Sequence, residues 1–177
     1  VGLPNSIRKR TAYQLNPFMT DWVSGQAAPS HGPLFQAAMG GTPLAFAGGT
    51  VAATSTTTQI TFSAAHGLTV GQAVANAGEI RFVAAILNST TVFLISPFTD
   101  GVTAGTVLGP TLTYPRGSDL GSVSIFDYWD PAGAGRRTLN GAAIDSMKVK
   151  GNGDFRGYDL EGPWRELIGD AGAPVGP

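Results

Sequence analysis

The residues able to do acid–base or metal chemistry are few and scattered. His31 and His66 are the two histidines, and each stands before a glycine in a turn-like stretch. A general base or a metal ligand needs companions at hydrogen-bonding or ligand spacing. Neither histidine has such companions along the chain. Cysteine is absent, which removes disulfides and thiolate metal sites. Asp119, Asp127, Asp130, Asp145, Asp154 and Asp159 are spread through the C-terminal part of the chain. A glycosidase-type site would need two of these carboxylates close together, and no spacing singles out a pair. Gly151-Asn152-Gly153-Asp154 lacks the regularly spaced acidic ligands and the closing Glu of a calcium loop. No His-Glu-x-x-His, Gly-x-x-x-x-Gly-Lys or Gly-x-Ser-x-Gly motif occurs. The expectation is a non-enzymatic chain with no catalytic residue, no metal site and no cofactor.

Recognition chemistry is better represented. Arg136-Arg137 follow a Gly-rich loop and suit a phosphate, an acidic partner or a pairing across a subunit contact. Trp22, Trp129 and Trp164 suit a sugar-stacking platform or, more simply, anchors in a core or interface. With Phe18 from the N-terminal segment, the expected assembly surface is Phe18, Trp22, Trp129, Arg136, Arg137 and Trp164.

Composition narrows the function classes. Charged residues make up 13% of the chain, against about 25% in typical soluble domains. Hydrophobic residues make up 42%, enough for a core and too many for a disordered chain. The net charge is −1, without the basic excess of a nucleic-acid surface. No apolar run approaches the roughly 18 residues of a membrane-spanning helix, and the start lacks the pattern of a signal peptide. The chain begins at Val1 and ends in a Gly- and Pro-rich run; both ends read as cut or processed. A surface so poor in charge is a liability for a free monomer. Burial against neighbouring subunits accounts for it, and a low-charge secreted domain is the alternative.

The elements that must position these residues are mostly strands. Residues 1–30 read as an extended arm with apolar anchors. Pro33–Gly40 reads as a short helix, with Pro at its start and Gly40 and Gly41 able to end it. From about 50 to 112 short strands rich in Thr, Val, Ile and Phe alternate with turns, the pattern of a small barrel or meander. There Thr58, Ile60 and Phe62 share one strand face, and Ile80, Phe82, Ala84 and Ile86 share another. Ser122–Trp129 and Ile144–Lys150 read as strands, and Gly151-Asn152-Gly153 as a hairpin turn into Asp154–Leu160. The alternation slips at Gly157, which predicts a bulge. Pro163–Ile168, followed by Gly169, reads as a second short helix.

The stretches 122–131, 136–150 and 151–155 together resemble tail tube proteins of long, non-contractile tailed phages. In those proteins a Gly-Ala-Ala/Val segment leads into a strand, an Asn-Gly-Asp turn and a returning strand. His66-Gly67-Leu68, Gly71, the strand from Glu79 to Val83 and Thr90-Thr91-Val92 resemble small β-domains inserted in phage tail proteins. The resemblance implies an all-β fold with one or two short helices. It would be a β-sandwich or half-barrel carrying a small inserted β-barrel or meander. Its parts would be 1–50 (arm and start of the tube domain), 51–112 (insert) and 113–177 (remainder of the tube domain). It implies hexameric or pseudo-hexameric stacked rings, other tail proteins as partners, DNA only in transit and no membrane insertion. The place implied is the virion, after assembly in the host cytoplasm. Lys148 and Lys150 are then expected to face outward or to be paired with acids, because bare lysines in a lumen would hold DNA. The rival readings are a carbohydrate- or receptor-binding β-module and another virion part, such as a distal tail, connector or decoration protein.

Overall fold

The computed structural model describes residues 12–19, 28–52, 54–128, 135–152 and 155–171. In chain order the elements are β1 (Ala12–Leu15), α1 (Gly32–Met39), β2 (Leu44–Phe46), β3 (Gly49–Thr50), β4 (Gln59–Thr61), β5 (Ala73–Asn76), β6 (Glu79–Ile86) and β7 (Thr91–Leu94). Then come β8 (Val107–Leu108), β9 (Thr111–Thr113), β10 (Ser122–Tyr128), β11 (Gly135–Ala143), β12 (Ser146–Asn152), β13 (Phe155–Pro163) and β14 (Glu166–Ala171). The protein is mostly β, an all-β fold with one short helix among the described residues. The chain divides into two compact units: residues 1–41 with 116–177, and residues 42–115 between them.

The first unit holds two antiparallel three-stranded sheets, ordered β1-β13-β12 and β10-β11-β14. β12 and β13 form the expected hairpin, in register from Ser146↔Glu161 to Asn152↔Phe155. Two adjoining cores join the sheets. One gathers Ile144, Tyr158 and Leu160 with Ala37, Leu34 and Phe35 of α1. The other gathers Tyr13, Leu139 and Ala142, with Ile125 and Trp164 packed against them. α1 forms where the sequence predicts it. Pro33 sits in its first turn, and Gly40, left-handed at φ 79°, sends its N–H back to Gln36 O at 2.8 Å.

Three local expectations are corrected here. The second helix is absent, and 166–171 is instead β14, paired with β11 from Gly135↔Ala171 to Asn140↔Glu166. A short isolated helix pays a nucleation cost for few hydrogen bonds, whereas this ladder recruits a partner strand already in place. Residues 12–15, expected as irregular arm, are a strand along β13 with Tyr13 buried. Gly157 marks no bulge, because it pairs regularly with Lys150. It is instead where Phe18 bridges to β13, with Tyr158 N–H donating to Pro17 O at 2.9 Å. The bulge lies in the other sheet: Val123 faces Ala142 but Ile125 faces Leu139, so Asn140-Gly141 carry one extra residue opposite Ser124.

The second unit is a small barrel. β4-β7-β6-β5 form a four-stranded sheet, while β2 pairs with β9 and β3 with β8. Bridges Val51↔Phe62 and Ala75↔Gly109 join these ladders to both edges of the sheet, so the ring of strands closes. The first join carries Ser63 N–H to Thr50 O at 2.9 Å, and the second Gly109 N–H to Ala75 O at 3.2 Å. Ile60, Val74, Val92 and Leu108 are fully buried inside, and Phe46 meets Phe62 edge-on at 5.7 Å. Ile60 and Phe62 point inward as their alternation predicts. The stripe read on β6 behaves differently. Val83 is the buried residue, and Ile80, Phe82, Ala84 and Ile86 are all exposed. A bulge between Val83 and Ala85 then breaks the alternation and sets Ile86 opposite Val92.

Candidate assembly surface

The groups in the first unit that could engage a partner collect on its sheet edges and in one cleft. β10 and β12 are edge strands, one in each sheet, and both are seven residues long. An edge strand presents backbone N–H and C=O groups that can pair with another chain. Along β10 the side chains of Phe126 and Tyr128 are exposed. Between them Asp127 Oδ2 accepts Arg137 Nε–H at 3.2 Å and Nη2–H at 2.5 Å across the β10–β11 ladder.

Beside this pair lies a cleft of ≈430 Å³ lined by Tyr13, Gln14 and Leu15 of β1, Ile125, Phe126 and Asp127 of β10, Arg137 and Leu139 of β11, and Trp164. Tyr13 forms part of its floor and donates from its hydroxyl to Ala143 O at 2.9 Å. Burial pushes its pKa above the ordinary tyrosine value, so it remains a neutral donor. The cleft brings Arg137 and Trp164 of the expected surface together. Phe18 lies outside its lining, exposed where its backbone bridges Gly157. Trp22 and Trp129 lie outside the described residues. Of Arg136 the backbone is placed, opposite Tyr128, and its side chain lies outside the description. Phe126, Tyr128 and the Asp127 partner of Arg137 were missed in the sequence. Their signal was available as the alternation of Ser122–Tyr128, but no sequence rule says that this strand is an edge.

On β12 both lysines are paired with acids of β13. Lys148 Nζ is 3.4 Å from Glu161 Oε1, and Lys150 pairs with Asp159. Asp159 is buried, and the Asn16 amide, in the orientation that satisfies its neighbours, donates from its nitrogen to Asp159 Oδ1 at 3.0 Å. Lysines on an edge strand also discourage indiscriminate pairing.

The histidines are used structurally. His66 Nδ1 accepts Leu68 N–H at 2.8 Å, so Nε2 carries the proton and faces Asn88 O at 3.0 Å. That fixes the turn before β5. His31 stands at the N-cap of α1, its ring beside Phe35 and Tyr158. No group of three or more His, Asp or Glu residues suited to a metal occurs among the described residues. No helix among them is long and apolar enough to cross a membrane.

No protein-family profile, curated protein or solved structure matches the chain.

Proposed function

We propose that this chain is a structural, non-enzymatic subunit that self-assembles into the stacked rings of a phage tail tube. The observation that carries the reading is the pair of matched edges, β10 and β12, each seven residues long. If β10 of one copy pairs with β12 of the next, the shared ladder is roughly 23 Å long and joins two three-stranded sheets into one. That contact is heterologous, so repetition closes a ring or grows a helix. Ring closure removes both open edges. Hexameric or pseudo-hexameric rings, contacts with other tail proteins and residence in the virion follow from the resemblance. The Lys148–Glu161 and Lys150–Asp159 pairs favour it, since a lumen beside β12 would hold little bare positive charge against DNA in transit.

The test is assembly. Negative-stain microscopy and light scattering of the chain should show rings that stack into hollow tubes with rising concentration. Phe126→Lys with Tyr128→Lys places two charges along β10 and should stop ring and tube formation with unchanged circular dichroism. A wild-type monomer at all concentrations would overturn the reading. A second reading, a carbohydrate-binding module, is favoured by the cleft with its aromatic residues Tyr13, Phe126 and Trp164. It predicts a stable monomer or closed trimer that scores in a glycan array.

A further inference from the structure

The barrel unit is almost free of charge. Of the chain's 11 Lys and Arg and 12 Asp and Glu, residues 42–115 contain three: Glu79, Arg81 and Asp100. Two of these satisfy each other, with Arg81 Nη2 2.7 Å from Glu79 Oε2. Each also bonds a backbone group of the same unit. Glu79 Oε2 accepts Thr99 N–H at 3.0 Å, and Arg81 Nε–H donates to Pro97 O at 2.7 Å. The guanidinium also lies over the Phe98 ring, 5.4 Å from its centroid.

The same unit exposes a contiguous apolar face. Ile80 is 57% exposed, Phe82 45% and Ile95 69%. Ile80 and Phe82 alternate on the outside of β6, and Ile95 N–H donates to Phe82 O at 2.9 Å, which sets Ile95 beside Phe82. Monomeric proteins seldom present such faces to water without a partner.

We infer that this outer face of β6 and the start of the β7 exit is a contact surface between two copies of this chain, barrel against barrel. The choice of partner follows from charge. A partner bearing Lys, Arg, Asp or Glu at the contact would bury a charge opposite a face with nothing to pair it, a costly desolvation. Charged side chains on a partner would also gain no steering from this unit. The complement of a charge-free apolar face is another such face, and this chain supplies one on every copy. Two identical patches meeting about a two-fold axis make a closed, isologous contact. The contact is separate from the β10 and β12 edges and does not depend on how those edges assemble.

The absence of cysteine gives a clean test in the full chain. Ile80→Cys and Ile95→Cys, alone and mixed, should give a disulfide-linked dimer as the main product of mild oxidation. Ala64→Cys, at an exposed turn elsewhere on the unit, should give at least about tenfold less, the factor expected for a contact held in register over random collision. Adding Phe82→Lys should abolish linkage with the circular dichroism unchanged, since Phe82 lies outside the barrel core. Adding Phe126→Lys with Tyr128→Lys should leave linkage intact, which separates this contact from the proposed sheet-edge assembly. Linkage no better than that of Ala64→Cys in all three samples, or linkage that survives Phe82→Lys, overturns the inference.

Discussion

The His31 ring sits 5.1 Å from the Phe35 ring and 5.3 Å from the Tyr158 ring, centroid to centroid. Its Nδ1 is buried with no hydrogen-bond partner, and burial holds its pKa below the ordinary histidine value. The unfolded chain therefore takes up this proton more readily than the folded one. The stabilisation is complete above the unfolded value of about 6.5. It is lost progressively as pH falls from there through the lower folded value. The thermal midpoint should drop between about pH 7.5 and about pH 5.5, and His31→Phe, which keeps a ring and removes the titration, should shrink that drop. An equal drop in both proteins would assign the acid sensitivity elsewhere. Sequence placed His31 before a glycine in a turn; it gave no hint that two aromatic rings from α1 and β13 would enclose it.

At the scale of elements, β11 and β13 approach each other closely at Gly162. A Cβ built there would lie 1.8 Å from Ala143 O and 2.9 Å from its carbonyl carbon. Backbone atoms of a paired strand cannot move aside as a flexible side chain can. Gly162→Ala should therefore cost about 3 kcal/mol or more of stability, read as a shift in the urea midpoint at constant slope. A loss under about 1 kcal/mol would mean that the two strands separate easily. The same glycine shows how local reading misled. Gly162-Pro163 reads as the start of a helix, because Pro suits the first helical turn. In the structure Pro163 instead ends β13, and Arg165 N–H donates to Asn140 O at 3.1 Å as the chain turns into β14.

For the whole molecule, each unit has its own core. The barrel's is built from its own residues, from Phe46 to Leu108. Truncating the fully buried Ile60 to Ala should cost about 2–5 kcal/mol. In hydrogen exchange the loss of protection should fall on β2–β9 and spare β1 and β10–β14. Equal loss in both would show that the units unfold together. At this scale the sparse charge read from composition also divides unevenly. The barrel holds three of the charged residues, and the other unit holds the Asp127–Arg137, Lys148–Glu161 and Lys150–Asp159 pairs.

What the sequence determined by itself was periodic or punctuated. α1 is bounded by Pro33 and Gly40, the inward face is marked by Ile60 and Phe62, and the pairing of β12 with β13 was signalled by the Gly-rich stretch after Lys150, although Gly151 and Asn152 themselves belong to the ladder. These are local, because backbone sterics and a two-residue or 3.6-residue period act over a few positions. Partner choice was decided only in the tertiary structure. The strand at 166–171 exists because β11 offers it a ladder. β6 turns Phe82 outward because its register with β5 sets Arg81 opposite the buried Val74. The cleft exists because Tyr13 and Arg137, far apart in the chain, line the same space. Pairing and burial depend on which distant segment arrives, and a single strand's residues do not carry that information.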